Sequence, residues 1–267
     1  MSGRLVVCPT PIGNLEDITL RVLTTLREAD VVACEDTRHT AGLLKRHGIE
    51  AKLVSYHEHN ERARAGELVE RMRSGEVIAL VSDAGMPLVN DPGYDLVQAT
   101  VAADLRVEVL PGPSATITAL VASGLPNDVW RFAGFLPRKA GPLREVFTGR
   151  ETVVAFESPR RVGASLKVLA ELDPERPVAV CRELTKLHEE IVRGSAQALA
   201  ERYGKEDPRG EIVLVVGAAP APEGLDPQAV EAVRALVEAG ARSKTAAKVV
   251  SDLTGAPSNE LYRALLT

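Results

Sequence analysis

The chain has 267 residues, 45% hydrophobic, 26% charged and only 3% aromatic, with a formal net charge of −5. That length accommodates two α/β domains of about 100 residues each plus a tail, and no apolar run approaches the roughly 20 residues of a membrane span. The acidic balance argues against a general nucleic-acid coat protein but leaves room for a local basic patch.

Leu5–Cys8 reads as a strand with no leader-like segment before it, so a cytoplasmic chain is expected. Asp17 is the expected cap of a helix with Ile18, Val22, Leu23, Leu26 and Ala29 on one face. Strands are expected at Val31–Cys34, Leu53–Tyr56, Val77–Ser82 and Arg106–Leu110, with helices at Asn60–Arg73 and Gly93–Ala103. This βαβα order predicts a mainly parallel sheet. Ser114 and Gly124 bracket a further helix. The second half offers strands at Arg131–Phe135, Thr152–Phe156, Val178–Cys181 and Ile212–Gly217. Its helices fall at Pro142–Thr148, Arg161–Leu172 and Ser195–Tyr203, giving a second α/β layer with more hairpin character. Residues 218–224 have linker composition. Beyond them Pro227–Ala239 sets Val230, Val233, Leu236 and Val237 on one face, and shorter helices follow at Ser243–Leu253 and Ser258–Leu266. The expected domains are 1–112, 113–219 and a helical 220–267.

Three turns follow apolar strands: Pro9–Asn14, Ser82–Pro87 and Pro111–Ala115. Gly/Pro-rich turns at the carboxyl edge of an α/β sheet expose backbone donors and acceptors where ligands bind; three together point to one composite small-molecule site. The chain has neither a G-x-G-x-x-G turn nor a Walker lysine loop, which favours a ligand without phosphates. Charged clusters stand at other strand ends: Glu35-Asp-Thr-Arg38, Ser55–Asn60, Glu157–Arg161 and Arg182–Lys186. Read bluntly, Glu35, Asp36 and Arg38 are a cap and ion pair, and Arg160 and Arg161 a solvated helix start. His57 and His59 lack further ligands at metal-site spacing, so no metal is expected. Cys8, Cys34 and Cys181 end apolar runs and read as buried free thiols. With G-x-S-x-G absent, a serine hydrolase is disfavoured.

Eight runs in order carry a resemblance: Pro11–Thr19, Glu35–Arg38, Ser82–Gly85, Asn90–Gly93, Pro111–Ala115, Ser123–Leu125, Gly134–Pro137 and Glu183–Lys186. Together they resemble the small-subunit (16S) ribosomal RNA cytidine 2′-O-methyltransferases of the tetrapyrrole-methylase superfamily. The similarity runs from Leu5 to Gly217, and the tail resembles that family's small helical domain. Cys8-Pro9 and Met86 depart from the usual pattern, where a small residue and Thr are common. The resemblance implies two α/β domains with S-adenosylmethionine in the cleft between them, a homodimer, and methyl transfer to a cytidine ribose of small-subunit ribosomal RNA, naked or in an assembled subunit. It implies cofactor contacts at Pro11, Ile12, Asp83, Ala84, Gly85, Met86, Ser114 and Ala115, and in the second domain at Phe156, Leu184 and Glu211. Asp83 is the carboxylate expected to meet the polar end of the cofactor. Glu35, Asp36, His57 and Lys186 are the candidates for activating or orienting the hydroxyl, Lys186 through a pKa lowered by burial. Arg38, Arg160 and Arg161, with Arg242, Lys244 and Lys248 of the tail, are expected to hold phosphates. Two competing functions are a tetrapyrrole-type small-molecule methyltransferase and a non-enzymatic RNA-binding protein that binds through its tail.

Overall fold

The computed structural model describes residues 3–206, 208–220 and 225–265. Residues up to Ala219 form one compact unit and those from Pro220 another. The first unit carries two five-stranded sheets.

The first sheet is built from β1 (Arg4–Val7), α1 (Leu20–Glu28), β2 (Val31–Cys34), α2 (Thr37–Arg46), β3 (Leu53–Ser55), α3 (Glu61–Arg73), β4 (Val77–Val81), α4 (Tyr94–Ala102) and β5 (Arg106–Val109). Its order is β3-β2-β4-β1-β5, and every pairing is parallel. Side chains alternate between faces, as a pleated strand requires. Val6, Val32, Ala79 and Val81 pack toward Val22 and Leu26 of α1. Leu5, Val7, Val31 and Leu80 pack toward Leu68 of α3 and Leu96 of α4. Both faces are covered, which is why these strands are continuous apolar runs.

The second sheet follows: α5 (Ala115–Ser123), β6 (Trp130–Phe135), α6 (Ala140–Phe147), β7 (Thr152–Glu157), α7 (Val162–Leu172), β8 (Pro177–Arg182), β9 (Glu190–Ser195), α8 (Ala196–Tyr203) and β10 (Ile212–Val216). Its order is β6-β7-β10-β8-β9. Only β6–β7 is parallel; β10 and β9 run antiparallel to their neighbours. One face packs on α7 and α8. The other packs on Ala119 and Leu120 of α5 and on Ile12 from the turn after β1, so one apolar cluster joins the two halves of this unit.

The structure corrects several local expectations. Thr19, not Asp17, caps α1, its hydroxyl accepting the Val22 N–H; Asp17 ends a short 3-10 turn. Asp36 caps α2, a helix absent from the sequence-based assignment. The edge strand β9 is a second addition. Gly124 does close α5 in the left-handed conformation.

The second unit holds α9 (Pro227–Glu238), α10 (Ser243–Thr254) and α11 (Ser258–Arg263) around Ala229, Val233, Ala246, Ala247, Val250 and Leu261. Leu236, expected on the inner face of α9, is exposed. Residues 221–224 of the expected linker and Leu266, the expected end of the last helix, lie outside the described residues.

Candidate active site

The turns after β1 and β4 are locked to each other. Thr10 and Gly85 exchange backbone hydrogen bonds of 2.9 and 3.0 Å, and the Thr10 hydroxyl donates to the Ser82 carbonyl at 3.0 Å. Gly85 has φ +81, and a Cβ there would come within 3.2 Å of Ile12 Cγ2. Only glycine takes that conformation at little cost while leaving the turn against Ile12. The Glu183–Lys186 loop closes on the first turn from the other sheet: Thr185 Oγ1 accepts the Asn14 N–H at 3.0 Å. Non-glycine residues with left-handed φ gather here, at Leu88, Asn90, Glu183 and Thr185. Each such residue costs roughly 1–3 kcal/mol, and they cluster where the surrounding structure fixes a site.

These turns surround a cavity of about 360 Å³, near the small end of the roughly 300–1,000 Å³ typical of small-molecule sites. Ile12, Met86, Leu184 and Val213 give it apolar walls, and Phe156 stands edge-on between Phe132 and Phe135. The Ala84–Met86 turn, Ser114, Thr116 and Glu211 supply the polar lining.

Acidic groups gather at the ends of β2 and β4. Asp91 lines the cavity, and its carboxyl is pushed up to about 6, mainly by burial and then by the charge of Glu35; a hydrogen bond from Ser82 opposes the shift and Asp83 adds to it. Glu35 is also raised, by burial and then by Asp83. Interacting carboxylates with partly removed solvent behave this way.

Residues 4–200 match the family of tetrapyrrole (corrin/porphyrin) methylases. The chain belongs to this family. Over 98% of its length it is 46% identical to a protein of Micromonospora olivasterospora named ribosomal RNA small subunit methyltransferase I, covering 86% of that protein. A Mesorhizobium japonicum protein of the same name is also 46% identical over 98% of this chain and 91% of its own. Among solved structures, the uroporphyrin-III-C-methyltransferase of Thermus thermophilus superposes with a TM-score of 0.56 at 26% identity, over 80% of this chain and 94% of that one.

Within this tetrapyrrole-methylase fold, Ile12, Ala84, Gly85, Met86, Ser114, Ala115, Phe156, Leu184 and Glu211 line the cavity. Pro11 and Asp83 do not. Asp83 turns its carboxylate to the Asp36 N–H, 3.2 Å away, and so belongs to the acidic group. Asp36 caps α2 and pairs with Arg38 at 3.2 Å; that side chain and the Arg38 N–H hold its carboxyl below the usual range, so it is a poor base. Arg38 is accordingly ion-paired within its own helix start. Lys186 is the clearest reversal. Burial works to lower its pKa, but Glu183 at 2.8 Å and Glu211 at 2.9 Å outweigh it, and the ammonium is held above its ordinary value. The expected lowering by burial is thus not found. Glu35 and His57 stand near the acidic group but not on the cavity wall; the His57 ring nitrogen Nε2 lies 3.3 Å from Asn60 Nδ2.

Arg161 turns inward. Its Nη2 donates to the carbonyls of Leu136 and Pro137 at 2.9 and 3.0 Å and to Glu157 at 3.2 Å. Arg160 is exposed. Arg242, at the N-cap of α10, and Lys244 and Lys248 on it are exposed. Asp91, Asn90, Phe135, Glu157, Ser158 and Pro159 also line the cavity; the sequence places them in resemblance runs or a charged strand-end cluster without giving any of them a cofactor or catalytic role. Cys8, Cys34 and Cys181 are free and buried, as expected; burial pushes the Cys8 thiol up to about 12.

Proposed function

We infer that this chain methylates the ribose 2′-hydroxyl of a cytidine in small-subunit ribosomal RNA, with S-adenosylmethionine as donor. The observation that carries this reading is the near full-length 46% identity to two proteins named ribosomal RNA small subunit methyltransferase I, together with a cavity whose lining, among the described residues, is mixed apolar and polar and holds no lysine or arginine to meet a phosphate. The donor has an adenine, a ribose and an amino-acid end. The lining fits that set: apolar walls at Ile12, Leu184 and Phe156 for the base, and the 84–86 backbone, Ser114 and Glu211 for hydroxyls and ammonium. When bound, the donor supplies an electrophilic methyl group on a sulfonium.

The chain's own contribution is position and a proton acceptor. Holding the hydroxyl in line is worth roughly 7–11 kcal/mol. Asp91 is the group assigned to receive the hydroxyl proton, because it lines the cavity and is more basic than an ordinary aspartate. The apolar walls keep competing water from the reacting atoms. The protein acts as a homodimer in the cytoplasm. Large apolar side chains left exposed in the first unit, Leu20, Val109, Val121 and Leu187, support self-association. Among the described residues no helix is long and apolar enough to cross a membrane.

The test offers the protein, with labelled donor, either small ribosomal subunits or uroporphyrinogen. Label in subunit RNA, mapped to a cytidine ribose, is the expected result; transfer to the tetrapyrrole alone would replace this reading with the small-molecule one. Light scattering should give twice the chain mass, and a monomer would remove the dimer. Ala115→Phe, which sets a ring into the cavity, should weaken donor affinity at least about tenfold, a loss of roughly 1.4 kcal/mol. Calorimetry with unchanged affinity would move the donor elsewhere.

A further inference from the structure

The loop from Phe135 to Lys139, joining β6 to α6, is unlike the rest of the cavity rim. The chain has four phenylalanines, and three of them meet here: Phe156 lies 5.0 Å from Phe132 and 5.4 Å from Phe135, both edge-to-face. Phe132 and Phe156 are partly buried, whereas Phe135 is 63% exposed while still lining the cavity. A large ring held in water at a cavity mouth forfeits burial free energy that a neighbouring packing position would have supplied. The backbone sets it there. The β6–β7 register shifts between Phe132 and Phe135, and Gly134 at the shift has φ +65, with Asn90 Oδ1 3.1 Å from where a Cβ would stand. The bulge re-aims the next side chain.

The loop is also held rigidly. Arg161 clamps the carbonyls of Leu136 and Pro137, the two residues after Phe135. Arg138 and Lys139 come next, exposed, and Arg160 is exposed beside the cavity-lining Pro159. Among the described residues none of these three cations has a carboxylate within ion-pair distance, whereas nearby Arg131, Arg144 and Arg161 are all paired. An aromatic face flanked by unpaired cations is the arrangement that holds single-stranded nucleic acid, bases stacking on the ring and phosphates meeting the charges.

We propose that the Phe135–Lys139 loop is the landing platform for single-stranded RNA at the cavity mouth, a nucleobase stacking on Phe135 while Arg138, Lys139 and Arg160 hold flanking phosphates. The assignment rests on the reading of an RNA acceptor and adds to it where the strand lies. It also gives the first unit a phosphate-binding surface of its own, independent of the basic tail.

The test measures binding to small ribosomal subunits from cells lacking this protein, alongside calorimetry with S-adenosylmethionine. Phe135→Ala should weaken subunit binding about tenfold, within the range that loss of one base–aromatic stack produces, and Phe135→Trp should bind like the parent. Arg138→Gln and Lys139→Gln should each lower the slope of log affinity against log salt by about 0.7. Donor affinity should stay unchanged in Arg138→Gln and Lys139→Gln, since neither residue lines the cavity. Parental subunit binding by Phe135→Ala, with methylation intact, would overturn the platform and leave the RNA reading standing. Loss of donor affinity in that variant would place the ring against the cofactor, and a changed oligomeric mass would assign it to self-association; either overturns the proposal. A parent that binds donor but no subunit would overturn both the platform and the RNA reading.

Discussion

Asp91→Asn should slow methyl transfer by roughly 10²–10⁴-fold, the usual contribution of a positioned base, with little change in donor affinity. The same change should make the protein more stable at pH 8. The Asp91 carboxyl titrates at about 6 in the folded chain against about 3.9 when unfolded. Between those values the folded state binds more protons than the unfolded one, so stability falls as pH rises through this window, and the loss is complete above it. A difference of that size between the two states corresponds to about 3 kcal/mol at most; partial exposure of the group screens this to about 1–2 kcal/mol. Asparagine carries no charge. Its advantage should therefore be present at pH 8 and gone below pH 4. In kinetics, the parent's kcat/KM should rise through pH of about 6, and the variant should lose that inflection. A variant that keeps the parental rate and inflection would show that the proton leaves by another route. An active site that costs stability in its ground state is the common trade between function and fold.

The strands were legible because their burial is two-sided. Val31–Cys34 is fully buried, and a strand covered on both faces leaves an uninterrupted apolar run. The edge strand β9 leaves no such run. Its residues Glu190-Ile-Val-Arg-Gly-Ser are all partly buried or exposed, so the sequence shows only two apolar positions among polar ones. The helix α2 is hidden differently. Its cap and first turn are the charged Asp-Thr-Arg run, and charges at a strand end read as a site before they read as a cap. In the cavity, the glycine turns were legible because a turn is a local property of a few consecutive residues. The charges were not. Lys186 is held up by Glu183, three residues away, and also by Glu211, which precedes β10 and is brought alongside only by the β8–β10 pairing. Asp91 lies in the Asn90–Gly93 run, which carries part of the resemblance but assigns its carboxylate no role. It reaches the cavity through left-handed Leu88 and Asn90, and part of its basicity comes from Glu35 on a different strand end. Electrostatic roles of this kind are made by tertiary structure, and no spacing in the chain encodes them.

Arg161→Ala should destabilise the first unit by about 2–4 kcal/mol while leaving the salt dependence of subunit binding as it is in the parent. The reason lies with Glu157. Its side chain is fully buried, accepting the Ser158 N–H at 2.7 Å and the Ser165 hydroxyl. Arg161 is the cation that offsets this buried charge. Taking one partner from a buried ion pair costs roughly 3–5 kcal/mol, because the other charge is left uncompensated; the partial exposure of Arg161 screens the pair and lowers this to about 2–4 kcal/mol. Two loop carbonyls lose their donor as well. Adding Glu157→Gln to Arg161→Ala should recover part of the loss, since the amide keeps hydrogen-bonding capacity without the orphaned charge, and a double-mutant cycle in thermal or urea unfolding measures that coupling. By sequence, Arg161 belongs with Arg160 on the RNA phosphates. The structure divides the pair: Arg160 exposed at the cavity mouth, Arg161 engaged in holding the loop that carries Phe135. Arg160→Gln should thus flatten the salt slope without moving the melting curve, and Arg161→Ala should do the reverse. If Arg161→Ala instead melts with the parent and flattens the slope, its guanidinium serves the RNA and the buried Glu157 is stabilised without it.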